Sequence, residues 1–163
     1  MKFVALGSDK ITLFGMESIR RTLWLVVFWL AVFGLEAAPV RVGVFDVDAS
    51  PPIGSPLAYV PTKGIDHPLR CTGVVIAGEG QPIVLCALDW IGISNGGYAA
   101  FREALAKGAG TVPVRVAVHT LHQHDAPRCD FSAQEILTKA GLKGVGFDTK
   151  HARQVIQQTA AAV

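Results

Sequence analysis

His119, His122 and His124 gather three of the chain's five histidines into six residues. They close an apolar alternating run and are followed by Asp125, Ala126 and Pro127. A His-x-His pair where a strand gives way to a loop presents two imidazoles to a metal ion or a reacting group. In extended backbone, side chains at i and i+2 share a side, so His122 and His124 are candidates to face one ion. Neutral imidazole suits zinc, and a catalytic zinc takes three protein ligands and keeps an open position. The pair supplies two, so the remainder must come from elsewhere. The plain alternative is two polar loop residues making ordinary hydrogen bonds, because the pattern is short. His119 lies three residues upstream of His122, out of phase with the pair, and reads as a strand-end residue or as an outer partner of the site.

Asp89 ends a second apolar run and has two readings. It accepts from loop amides, or it serves chemistry beside the histidines, as strand-end carboxylates of α/β units do. Asp125 and Asp89 are each placed to accept an imidazole N–H. Arg128 and Asp130 read as a solvated or salt-bridged pair, with Arg128 alternatively steering an anion. His67 reads as a loop histidine. Cys129 has no basic neighbour in sequence and reads as an inert thiol. A Gly-x-Ser-x-Gly elbow is absent. The segment Gly92-Ile-Ser-Asn-Gly96-Gly97 lacks the lysine of a phosphate loop, though its amides could meet an anion at a helix start.

The elements that must position these groups follow from periodicity. Val40–Asp48 alternates as a strand. Residues 49–61 carry Pro51, Pro52, Gly54, Pro56 and Pro61, which is loop chemistry. Leu69–Ile76 and Ile83–Leu88, joined by Gly78-Glu79-Gly80, predict a hairpin whose second strand is buried on both faces. Ser94 or Asn95 caps a helix to Lys107, with Tyr98, Phe101 and Leu105 on its core face and Gly108 and Gly110 ending it. Val112, Val114, Val116 and Val118 then predict the strand that delivers the histidines. The strand–helix–strand crossover makes Ile83–Leu88 and Val112–Val118 parallel, so Asp89 and the histidines meet at one sheet edge. Ser132-Ala-Gln-Glu135 reads as a capping box opening a short helix that ends near Gly141. Asp148 or Thr149 caps a last helix, which reaches Val163 without a closing Gly, Asn or Pro. The fold class is α/β: a mixed sheet with a strand–helix–strand crossover and flanking helices, expected to be incomplete at the C-terminus.

The chain has 163 residues, room for one ordinary domain. Part of its 50% hydrophobic content is not fold. Arg20-Arg21, the apolar stretch Leu23 to Leu35, and Glu36-Ala37-Ala38-Pro39 read as a signal peptide starting at Met16. The stretch falls short of the ~20 residues of a membrane span, and an uncleaved anchor is the alternative. Residues 1–38 are therefore expected to be upstream sequence and leader, and 39–163 the domain. Residues 1–38 hold four Lys/Arg and three Asp/Glu, so their removal lowers the formal charge from +2 to +1. No basic run remains, which argues against nucleic acid as a partner. Cys71, Cys86 and Cys129 allow one disulfide and one free thiol, or none. Cys71 and Cys86 read as buried thiols in adjacent apolar runs. No CxxC spacing supports a cysteine zinc site.

Four segments, taken in order, resemble the neutral ceramidases. Val42-Gly-Val-Phe-Asp-Val-Asp48 is similar to the opening of that family. Gly64-Ile-Asp-His67-Pro-Leu69 is similar to the segment that follows it, with the histidine displaced by one position. Leu85-Cys-Ala-Leu-Asp89 resembles a strand of the family that ends in Asp. Val116-Ala-Val-His119-Thr-Leu-His122-Gln-His124-Asp-Ala-Pro127 resembles its Thr-His-Thr-His-Ser-Gly-Pro motif, with Asp125-Ala126 in place of Ser-Gly. The resemblance spans about residues 42–163 and implies hydrolysis of the ceramide amide bond with one zinc ion. It places His122 as the first zinc-binding histidine and His124 as the second, beside the metal and the reacting carbonyl. It implies a small-molecule or lipid amide substrate and contact with a membrane surface. The family's remaining ligands, a His, a Glu and a Tyr, fall beyond Val163.

The sequence therefore supports an exported zinc-dependent amide hydrolase present as a fragment, inactive alone, with His122 and His124 as metal residues and His124 and Asp89 as catalytic residues. One alternative is a non-catalytic exported module from a truncated reading frame. Another is a different His-x-His metallohydrolase, such as a metallo-β-lactamase-like protein. That class wants His-x-His-x-Asp-His, and here Asp125 directly follows His124.

Overall fold

The computed structural model describes residues 19–26, 38–142 and 146–163. The chain divides into two compact units, Met1–Ala38 and Pro39–Val163. In the first, residues 19–26 are helical. Met16 and most of the leader stretch lie outside the described residues. Among the described residues no helix is long and apolar enough to cross a membrane.

The second unit is built on a four-stranded sheet in the order β1-β2-β3-β5. Strand β1 is Arg41–Asp48, β2 is Arg70–Ala77, β3 is Ile83–Leu88 and β5 is Val116–Thr120. The first two pairings are antiparallel, with Arg41 opposite Ala77 and Cys71 opposite Leu88. The third is parallel, running from Val84 opposite Val116 to Leu88 opposite Thr120. The sheet is thus mixed, as the hairpin and the crossover require: a short turn joins antiparallel strands, and a helix returns the chain for a parallel one. That helix, α1, is Asn95–Gly108. Two more follow, α2 at Phe131–Lys139 and α3 at Thr149–Ala162.

One sheet face holds the core. Phe45, Cys71, Val84, Cys86, Leu88, Val116 and Val118 are buried there with Phe101 and Leu105 of α1 and Val155 and Ile156 of α3. Helix α3 packs on both α1 and β1. The packing needs glycine where backbones approach. A Cβ on Gly73 would lie 2.2 Å from the Leu85 carbonyl oxygen and 2.3 Å from Phe45 Cζ. A Cβ on Gly108 would lie 2.2 Å from the Ala160 carbonyl oxygen.

The opposite face corrects the expectation that β3 is buried on both sides. Val44 is 81% exposed and Leu85 44% exposed, while Val84, Cys86 and Leu88 face the core. Helices α1 and α3 cover the core face, while Val44 and Leu85 on the other face stay exposed. An unbroken apolar run therefore marks a strand but does not show how many of its faces are covered.

The strand expected at Val112–Val118 also begins later. Pro113–Arg115 is a 3-10 turn, and β5 starts at Val116. Proline favours the first turn of a helix, where its missing N–H costs nothing. The Arg102 guanidinium on α1 holds the turn by donating to the Pro113 and Val116 carbonyls. The alternation of valines is thus strand-like only at Val116 and Val118.

One helix cap differs from expectation. Asp130, not Ser132, caps α2, accepting from the Ser132 and Ala133 amides at 3.0 and 3.1 Å. Ser132 Oγ accepts instead from the Gly96 amide at 3.2 Å, and Glu135 pairs with Lys139. A carboxylate two residues ahead of the serine starts the helix earlier, since Asp is as good a cap as Ser. It also ends the expected Arg128–Asp130 pair: the second oxygen of Asp130 accepts from Asn95 Nδ2 at 2.7 Å. Asp148 caps α3 as expected, accepting from the His151 amide at 2.9 Å.

Candidate functional site

Parallel pairing of β3 and β5 brings their carboxyl ends together. The ladder continues past the last strand pair: the Leu121 amide donates to Leu88 O at 3.0 Å and the His122 amide to Trp90 O at 3.2 Å. The histidine segment therefore runs beside Asp89-Trp90-Ile91. Trp90 anchors this edge. It is fully buried, packs edge-on against Phe101, and donates its indole N–H to Ala49 O at 3.0 Å. A two-stranded parallel ribbon fastens the other end of the loop, pairing β4 (Gly92–Ile93) with β6 (Arg128–Cys129). The Ile91 amide donates to Pro127 O beside it. The loop from Leu121 to Pro127 is thus pinned on both sides.

Within it, His122 takes a left-handed backbone conformation with φ of +60°. A side chain bearing Cβ is rarely found there, and such strain costs on the order of 1–3 kcal/mol. It is overdetermined by the amide bond to Trp90 O and by a second bond from the ring. His122 Nδ1 lies 2.9 Å from the Ile91 carbonyl oxygen. A carbonyl only accepts, so Nδ1 carries a proton, and in the neutral ring Nε2 is the nitrogen with the lone pair. This is the tautomer a metal ligand needs, fixed by a backbone partner. The left-handed turn also corrects the extended-strand geometry expected for His-x-His. The two rings meet because the backbone bends at His122, not because alternate side chains of a strand share a side. Their centroids lie 5.1 Å apart, edge to face.

His124 has a partner that the sequence did not single out. Tyr59 Oη is 3.3 Å from His124 Nδ1, and the rings sit edge to face at 5.6 Å. Tyr59 is a lone aromatic in a proline-rich loop, 65 positions from its partner. Nothing in its local pattern signals this contact.

Asp89 shares the edge, as the crossover predicts. Its carboxylate accepts from the Arg70 amide at 2.7 Å, and its own amide donates to Arg70 O at 2.9 Å. Among the described residues no hydrogen bond links Asp89 or Asp125 to either ring. His119 stands in β5 opposite Ala87, on the open face of the sheet. The glycine-rich segment before α1 offers no free anion cradle, because the Gly96 amide meets Ser132 Oγ and the Gly97 amide meets Ser94 O. Cys129 is buried beside the Asp130 charge, and burial above all pushes its thiol up to about 12. It stays protonated near neutrality, in keeping with an inert thiol.

A cavity of about 440 Å³ adjoins the histidine loop. Leu57, Val60, Ile65, His67, Gln123 and Asp125 are among its lining residues. Gln123 and Asp125 of the histidine loop line the cavity, and His122 and His124 are not among its lining residues. His67, read as a loop residue, lies in its wall.

The loop brings two imidazoles side by side. The His122 tautomer fits zinc, and His124 lies beside it. Among the described residues, however, no group of three or more His, Cys, Asp or Glu side chains is placed to hold an ion. A catalytic zinc takes three protein ligands, one more than this pair could supply.

Fold and site together define an α/β unit with a histidine loop at the carboxyl edge of a mixed sheet. No protein-family model and no curated protein sequence matches the chain. Two ceramidase structures are among the solved structures that share its fold. One is the neutral ceramidase of Pseudomonas aeruginosa, at a TM-score of 0.53 and 19% identity, covering 78% of this chain. The other is a ceramidase complexed with C2, at a TM-score of 0.52 and 17% identity, covering 77%. The chain spans 21% and 20% of the length of these two proteins.

Proposed function

We propose that the chain contributes the histidine loop of a zinc-dependent amide hydrolase of the ceramidase kind, acting on a small-molecule or lipid amide after export. The observation that carries this reading is the His122 ring, whose Nδ1–H is fixed on Ile91 O with Nε2 left free beside His124. The ceramidase-like fold and the ordered resemblance of four segments support it. His122 and His124 would hold the ion, with further donors from outside the described residues. A bound zinc supplies an acidified water and a Lewis acid for the amide oxygen. This chain's own part is to orient two imidazoles: Ile91 O sets one tautomer, and Tyr59 restrains the other ring. For a lipid substrate, approach from a membrane surface belongs to the same proposal, as does removal of the leader.

Metal analysis of the purified protein tests the reading. Zinc bound in proportion to protein, and lost in His122→Ala with the fold intact by circular dichroism, supports it. Equal metal content in wild type and His122→Ala overturns it. A second reading, a non-catalytic module that binds metal weakly, is favoured by the two-donor count among the described residues. Release of fatty acid from an N-acyl amide by the zinc-loaded protein excludes that module.

A further inference from the structure

Cys71 and Cys86 stand outside the histidine loop, and their relationship is specific. Cys71 lies opposite Leu88 and Cys86 opposite Gly73, so the two cysteines sit diagonally on one face of the β2–β3 hairpin. Their sulfurs are 3.4 Å apart, and both residues are buried as free thiols. Gly73, which faces Cys86, brings no side chain of its own, and the Phe45 ring covers that row. Thr159 of α3, fully buried, closes over Cys71. Two strands already in register thus hold the sulfurs within about 1.4 Å of a bonded separation of ~2.05 Å. Cys129, in β6, is not part of this contact.

We infer that Cys71 and Cys86 form a disulfide across the β2–β3 hairpin when the chain folds in the presence of a disulfide oxidant, leaving Cys129 as the free thiol. With glutathione disulfide as oxidant, one cysteine thiolate attacks a glutathione sulfur and releases one glutathione thiol. The second cysteine thiolate then displaces the other glutathione and closes the bond. The two cysteines give up two protons and two electrons, and the oxidant ends as two thiols. In the folded protein both sulfurs are shielded, so the exchange belongs to the period before α3 closes over the hairpin. The contact between the two thiols is the main influence on each. It lowers Cys71 against the effect of burial and raises Cys86 together with burial. The bridge closes a short loop, with 15 positions between its ends, and ties the strand that begins at Arg70 to the one that leads into Asp89.

The full chain, unfolded and reduced, is refolded in glutathione buffer and compared with the same chain refolded in reductant. The expected result is one titratable thiol in place of three, a monomer mass lower by about 2 Da, and a proteolytic peptide joining Cys71 to Cys86. The melting temperature should rise by about 5–10 °C over the reduced form. Three titratable thiols after oxidative refolding, or a bridge containing Cys129, overturns the inference. So does a bridged form that melts below the reduced one. The wild type carries the whole test, so it does not depend on a variant folding, and its outcome is independent of metal binding at the histidine loop.

Discussion

His122 donates from Nδ1 to the carbonyl oxygen of Ile91 across 2.9 Å, and the residue that does so has a backbone φ of +60°. The two facts are linked. The left-handed turn lifts the ring out of the strand direction and lays it against the segment that follows β3. A strained residue here serves geometry, since relaxed backbone would carry the ring elsewhere.

That linkage predicts opposing effects on stability and binding. His122→Gly removes the ring and the strain together, whereas His122→Ala removes the ring and keeps the strain. The glycine variant should be more stable than the alanine variant by about 1 kcal/mol, the usual cost of a Cβ in this region. Both should lose zinc affinity by at least ~100-fold if the ring is a ligand, more than the 10–100-fold cost of losing an outer partner. Urea melts and zinc titrations of the pair measure the two quantities separately.

Tyr59→Phe tests the restraint on His124. The hydroxyl contact is exposed, so the melting temperature should stay within a degree or two. The His124 ring should change its tautomer balance and its rate of rotation, read from imidazole nitrogen shifts by NMR. Zinc affinity should fall by about 10-fold, the low end of the 10–100-fold cost of losing an outer partner. An unchanged His124 spectrum in Tyr59→Phe would show that the contact does not order the ring.

Gly73→Ala should destabilise the domain by about 2–3 kcal/mol, because its Cβ would overlap a backbone carbonyl that has nowhere to move. Trimming Phe45 to leucine in the same chain should not restore stability, since the Leu85 carbonyl remains. Denaturant midpoints of the single and double variants decide this.

Acid sensitivity should trace in part to Asp148. Burial alone would raise its carboxyl, but the His151 amide and the Ser55 hydroxyl outweigh that and hold it below the ordinary value of 3.8. A carboxylate depressed by folding stabilises the protein above its unfolded value and loses that contribution as pH falls through the folded value. The effect is therefore present at neutral pH and disappears below 3.8. Asn is an equally good cap, so Asp148→Asn should keep α3 while flattening the dependence of stability on pH in that acid window. Chemical denaturation between pH 5 and about 2 measures the slope.

The sequence alone determined the parts governed by short-range rules. Two apolar runs and a glycine turn make the β2–β3 hairpin. A periodic face with Phe101 and Leu105 makes α1, and the crossover makes β3 and β5 parallel. That last step put Asp89 and the histidines on one edge before any contact was visible, because topology restricts where strand ends can lie. Asp148 was readable as a cap because it immediately precedes the helix it serves. Tertiary structure decided the rest. Whether Asp130 or Ser132 caps α2 depended on which side chain Gly96 and Asn95 would engage across the fold. Whether Val112–Val118 was all strand depended on Arg102 reaching the Pro113 turn. The exposed face of β3 depended on α1 and α3 packing against the other side. Above all, the chemistry of the histidine pair rests on Ile91 O, Trp90 O and Tyr59, partners set by packing of segments far apart in sequence. Residue spacing could name two imidazoles, but a tautomer is fixed by what each ring nitrogen touches, and only the folded chain supplies that.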